Sequence, residues 1–328
     1  MGSMIVRYRD ADAVRWGRLE GPAPIHASDL VTVDPLAIQA TTTGEVISAF
    51  ESGALRTTSA GAKIKASTIL SPVTNDATLL CQGLNYLSHA AEAQHHVRRA
   101  NLIFSKASSS LTGPYSPIIR PPEVELLDYE VEIGVVLRSD IRGPVEVTNA
   151  NLGDFVAGVV LCNDASARDT MFGASFLQWF HGKSYRSFCP AGPVLYLLDR
   201  HEVATTLDNL EINLSLNNEP RQSARSTQLI YKPAETLTHI SSWMDMKRGD
   251  MLLTGTPGGV TAPASAKLVE ILKTHLMEDT VRRDAFRVEI VKTRPFMKAG
   301  DVVTATLHDS RLNISLGGHE NTVADANG

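Results

Sequence analysis

The sequence predicts an α+β fold rich in β-structure. Three observations carry this expectation: short apolar runs recur from residue 79 to residue 307, Gly and Pro punctuate the chain between them, and few segments show helical spacing. Many short strands with few long helices point to a β-rich domain and away from a doubly wound α/β sheet.

The elements follow in chain order. Met1-Gly2-Ser3 precedes a second methionine, Met4, and reads as a tag scar. Residues 5–16 alternate as strands do, residues 42–52 read as a short helix ended by Gly53, and residues 59–68 are polar and irregular. Residues 1–75 are therefore expected to form a smaller N-terminal domain, and residues 76–328 the main one. In the latter, strands are expected at 79–81, 128–137, 155–162, 194–198, 210–216, 251–254, 286–291 and 302–307. Two helices are expected, a short one at 88–94 and one at 265–276 with Leu268, Ile271, Leu272 and Leu276 on one face.

Composition narrows the function. The chain has 328 residues, 43% of them hydrophobic and 20% charged, which is the balance of a soluble globular protein. A net charge of −5 gives no basic surface for nucleic acid. The longest apolar run, residues 155–162, is too short to span a bilayer. The N-terminus has no apolar leader, so a cytoplasmic location is expected. Cys81, Cys162 and Cys189 form no CxxC pair and read as free thiols in a reducing compartment. No repeat, dinucleotide fingerprint or phosphate loop is present; residues 255–259 lack the lysine that a phosphate loop needs.

The richest chemistry lies in residues 128–137. On a strand, Val131, Ile133, Val135 and Leu137 share one face, and Glu130 and Glu132 share the other, with Asp128 in line behind them. The two glutamates then sit roughly 6.6 Å apart and repel by about 2.5 kcal/mol at an effective dielectric of about 20. A wet face tolerates that repulsion. A covered face needs a cation between them. The segment is therefore either a half-exposed strand or one wall of a metal site. Asp164 follows an apolar strand, whose end opens onto the interior or a cleft, and all-oxygen ligation by Glu130, Glu132 and Asp164 suits Mg²⁺, Mn²⁺ or Ca²⁺.

Three further groups stand out. His89 and Glu92, three apart on the expected helix, are neighbours, and a carboxylate beside imidazole suits a general base; the bland alternative is a surface ion pair. Lys183, in a Gly/Pro-framed loop, could meet a developing oxyanion or simply be solvated. Residues 254–259, Thr-Gly-Thr-Pro-Gly-Gly, could bring backbone N–H groups to an anionic ligand or form only a tight turn.

These pieces occur in one order. The run is Gly83-Leu84-Asn85-Tyr86, His89, Glu92, Phe104-Ser105-Lys106, Asp128-Tyr129-Glu130-Val131-Glu132, Asn163-Asp164-Ala165-Ser166-Ala167-Arg168-Asp169, Gly182-Lys183-Ser184, Asn217, Gln222 and Thr254-Gly255-Thr256-Pro257-Gly258-Gly259. The chain thereby resembles the fumarylacetoacetate hydrolase family, strongly over residues 77–260 and again at 298–306. The resemblance implies a catalytic domain with a rolled mixed β-sheet, a smaller N-terminal domain and a homodimer. It also implies one Mg²⁺ or Mn²⁺ on Glu130, Glu132 and Asp164, with Ca²⁺ as an in vitro substitute. His89 and Glu92 would sit on a lid helix, Lys183 would stabilise charge, and Thr256 would hold the substrate carboxylate, with Arg168, Gln222 and Tyr86 as further substrate contacts. The expected reaction is hydrolysis of a C–C bond in a β-diketone or acylpyruvate-like acid. The alternative is decarboxylation, isomerisation or dehydration of a 2-keto acid on the same site. The partner is a small diketo or 2-keto acid, with no nucleic acid and no membrane. Against the family pattern, Arg186 stands where an Asp is common, and residues 261–294 form an extra segment that could serve the active site or the subunit interface.

Overall fold

A computed structural model describes residues 2–58, 61–88, 100–174, 176–262, 265–290 and 294–326. Its strands form an 11-stranded mixed sheet, a 5-stranded sheet and two short two-stranded ones. The α+β, strand-rich expectation holds.

Strand Val131–Leu137 lies inside the large sheet. It pairs antiparallel with Val156–Asn163 on one side and Met251–Leu253 on the other, and Met251–Leu253 pairs parallel with Leu79–Gly83. Both faces of these strands are covered, which explains their nearly unbroken apolar sequence. Val131, Ile133, Val135 and Leu137 pack in one core, while Val136, Val160, Met251 and Leu253 pack in a second. The face carrying Glu132 is therefore dry, and the half-exposed alternative is excluded.

The N-terminal strands join the same sheet. Ser3–Asp10 and Ala13–Glu20 form a hairpin, and Ser3–Asp10 also pairs with Leu195–Leu197. Helix Thr43–Glu51 starts as its sequence suggests: the Thr42 hydroxyl accepts the Glu45 N–H, and the Glu45 carboxylate accepts the Thr42 N–H. In the 5-stranded sheet, Leu210–Leu216 lies between Glu219–Arg225 and Val302–Asp309.

Four expectations change. Residues 286–291 were read as a strand, but Asp279–Ile290 is a helix. Residues 59–68 contain an edge strand, Ala62–Lys65, whose polar sequence reflects its exposed position. Residues 128–137 divide into Leu127–Asp128, which pairs with Ser166–Ala167, and Val131–Leu137. Lys183 ends helix Trp179–Lys183 instead of lying in a loop. The helix expected at 265–276 is present as Ala266–Thr274, capped by the Ser265 hydroxyl. The helix expected at 88–94 falls largely outside the described residues.

Candidate metal centre and active site

The antiparallel register builds the acidic floor. Val131 faces Asn163 and Glu132 faces Cys162, so Glu130 and Asp164 emerge together just beyond the paired strands. The Asp164 N–H donates to the Glu130 carbonyl at 2.7 Å, which locks the two ends together. Carboxylate oxygens of Glu130, Glu132 and Asp164 all lie within 4.8 Å of one another, and all three residues are buried.

Three buried cations surround these acids. Lys183 Nζ donates to Glu130 at 2.8 Å, Asp164 at 2.6 Å and Ser166 Oγ at 2.9 Å. Lys106 Nζ donates to the other Asp164 oxygen and, at 2.6 Å, to the Phe188 carbonyl. Arg168 donates to Glu130 at 2.6 Å and to Asp128 at 2.9 Å. Burial alone would lower the Lys183 pKa, but Asp164 and Glu130 outweigh it and hold the ammonium charged. Arg168 follows the same logic through Glu130 and Asp128.

Glu132 differs. Its carboxylate accepts the Gly255 N–H at 2.8 Å, offered from a backbone at φ +92° where a side chain would strain. The glycine-rich turn thus gives an N–H to a protein carboxylate. Burial, then Asp164, then Glu130, push the Glu132 carboxyl well above the usual carboxylate range. Near it, the buried Tyr86 hydroxyl has no hydrogen-bond partner among the described residues, and burial and Glu132 raise its pKa as well. An all-oxygen donor set, strained toward protonation and beside an orphaned hydroxyl, fits a hard divalent cation. The triad could hold one such ion.

The floor opens into a cavity of about 190 Å³ with Glu130, Arg168, Lys183 and Thr256 in its lining. Gln222 stands behind that lining: it accepts the Val131 N–H at 3.0 Å and donates to Thr256 Oγ1 at 2.8 Å. Thr256 in turn donates to the Val131 carbonyl. Gln222 therefore positions Thr256. Tyr86 is fully buried and absent from the cavity lining. His89 and Glu92 lie outside the described residues.

Sequence reasoning missed Lys106 and Asp128 as parts of the site. Lys106 ends strand Leu102–Lys106; it stands in the Phe104-Ser105-Lys106 motif of the resemblance, but no site role was drawn from it. Asp128 accepts the Thr261 and Ala262 N–H groups at 2.9 and 3.0 Å while it holds Arg168.

Comparisons with known proteins show what the chain is similar to. Oxaloacetate tautomerase FAHD2A, mitochondrial, of Bos taurus is 40% identical over 194 residues, 59% of this chain and 60% of that protein. Its Homo sapiens counterpart is 37% identical over 193 residues, with the same coverage. The match thus spans about 60% of these relatives' length. Among solved structures, a probable 2-hydroxyhepta-2,4-diene-1,7-dioate isomerase from Mycobacterium abscessus superposes with a TM-score of 0.69 at 25% identity, covering 100% of both chains. A fumarylacetoacetate hydrolase from Exiguobacterium antarcticum, at 24% identity, TM-score 0.70 and coverage of 99% of this chain and 100% of that one, shares the fold. A family model described as fumarylacetoacetate (FAA) hydrolase C-terminal matches residues 78–324, and the chain belongs to that family.

Proposed function

We propose that the protein interconverts the keto and enol forms of a 2-oxo acid, with Mg²⁺ or Mn²⁺ held by Glu130, Glu132 and Asp164. The observation that carries this reading is the meeting of three buried carboxylates at a cavity floor beside Lys183. A bound divalent cation there supplies Lewis-acid polarisation of a carbonyl oxygen. The chain's residues do the rest. The Thr256 main-chain N–H orients the substrate carboxylate, while its hydroxyl is held between Gln222 and the Val131 carbonyl. An imidazole nitrogen of His89, oriented by Glu92, takes the proton as the C3–H bond breaks, and that proton is returned to the carbonyl oxygen. Lys183 stabilises the negative charge that develops on oxygen between those events.

Sequence alone puts C–C hydrolysis of a diketo acid first. The tautomerase and isomerase names of the relatives support reversing that order. Hydrolysis stays as the second reading because His89 and Glu92 keep the spacing of a water-activating pair. The proposal includes a homodimer in solution, measurable by light scattering.

The test is loss of enol absorbance for a 2-oxo acid with Mg²⁺, in the parent and in Glu130→Ala and His89→Ala. Both changes should abolish acceleration above the uncatalysed rate. If acceleration survives both, the site assignment is wrong. Product NMR separates the two readings: tautomerisation in D₂O labels C3 of one compound, whereas hydrolysis of a diketo acid gives two carbonyl fragments.

A further inference from the structure

The cavity has two unlike ends. Among its described lining residues the charged ones are Glu130, Arg168 and Lys183, all at the floor. The opposite wall is apolar, and it comes from the two helices of the extra segment, Ala266–Thr274 and Asp279–Ile290. They contribute Leu268, Leu272 and Phe286.

Aromatic rings connect the two ends. Lys183 Nζ lies 5.4 Å from the centre of the Phe104 ring. Phe104 meets Trp179 edge-on with centroids 5.3 Å apart, Trp179 meets Phe172 edge-on at 6.0 Å, and Phe172 packs on Phe286 at 5.2 Å. All four rings line the cavity. A ligand with its oxo and carboxylate oxygens at the floor therefore extends its remainder along a row of rings.

We propose that the substrate is a 2-oxo acid whose C3 substituent is aryl or bulky alkyl, and that the extra helices select it against dicarboxylates. The assignment rests on the 2-oxo acid reading above and names its substrate class. A second carboxylate laid against Leu268, Leu272 and Phe286 would lose its water and meet no donor from those side chains, which is strongly unfavourable. An aryl ring there exchanges water for apolar surface and edge-on aromatic contacts. Leu272 is the discriminating position because it lines the cavity while remaining only half-buried in the fold.

The test uses the full chain with Mg²⁺ and two probes, phenylpyruvate and oxaloacetate, with calorimetric binding and enol interconversion measured separately. Phenylpyruvate should bind at least tenfold more tightly than oxaloacetate. Leu272→Arg should shift that ratio at least tenfold toward oxaloacetate, and the milder Leu272→Gln should shift it the same way by at least threefold should the arginine variant not fold. Equal or tighter binding of oxaloacetate by the parent, an unmoved ratio in a folded variant, or no binding of either acid overturns the assignment. Tight phenylpyruvate binding with no interconversion of either acid defeats the tautomerase reading and leaves the apolar wall standing. Interconversion of both acids with oxaloacetate preferred does the reverse.

Discussion

The floor and the wall of one cavity are built by opposite means. The acids of the floor are carried on, or just beyond, strands of the sheet, where hydrogen bonds to backbone hold them: Asp164 is tied to Glu130 by a main-chain hydrogen bond, and Glu132 is tied to Gly255. The wall is carried on two helices whose side chains form a separate small core around Leu268, Phe286 and Ile290. The floor concentrates buried charge at the cost of internal repulsion, while the wall gains from burial alone. Substitutions should therefore fail in different currencies. Floor changes should alter metal binding and chemistry, and wall changes should alter stability and selectivity.

The largest effect should come from Glu132→Gln. It should lower metal-dependent turnover roughly 10³-fold, the loss of several kcal/mol of Lewis-acid stabilisation. Without metal the same change should raise the melting temperature. Burial and the Asp164 and Glu130 charges push the Glu132 carboxyl up, so the folded state holds its proton more tightly than the unfolded chain does. Stability is then lost as pH rises through the range where the carboxyl ionises, and a neutral amide removes that loss. Thermal melts at pH 7 with and without Mg²⁺ check both signs. A variant less stable than the parent without metal would break the contrast.

Phe286→Ala should act on the wall. Phe286 is 2% exposed, and its truncation should cost roughly 3 kcal/mol of stability, read by urea unfolding, while Mn²⁺ affinity stays within about threefold. A large loss of metal affinity would show that the two regions are mechanically one.

How far each region was legible follows from the same contrast. Alternation placed Glu130 and Glu132 beside an apolar stripe, and the apolar run before Asp164 announced its burial. Pairing then left little freedom. The role of Lys106 was not legible because its partners, Asp164 and Phe188, lie 58 and 82 residues away. The wall was misread more deeply. Phe286, Val288 and Ile290 alternate with charged residues and fit a period of two, so a strand was expected. The helix instead buries Phe286 and Ile290, four apart, and leaves Val288 64% exposed. Short apolar alternation fits both periods, and the tertiary partner decides between them. Arg168 and Gln222 were expected as substrate contacts; the structure shows their hydrogen bonds going to Glu130, Asp128 and Thr256, a commitment no spacing could reveal.

A buried histidine outside the cavity lining supplies a control. His319, on strand Ile314–Asp325, donates Nε2–H to the Gly192 carbonyl, and burial lowers its pKa to about 4. The unfolded chain binds its proton near pH ~6.5, the folded chain only near 4. Stability is therefore full above about pH 6.5 and falls by about 3 kcal/mol as pH drops toward 4. His319→Gln should flatten that slope in urea unfolding across pH 4–6.5 and leave metal affinity alone. An unchanged slope would assign the acid sensitivity elsewhere.

The most direct test is calorimetric titration of Mn²⁺ into the metal-free protein. One ion should bind per chain, and Glu130→Gln, Glu132→Gln and Asp164→Asn should each weaken it at least roughly tenfold. Saturation at about 100 times the dissociation constant should stabilise the fold by about 2.7 kcal/mol. Undiminished binding in any two of those variants, or no binding to the parent, would contradict a shared ion at the floor.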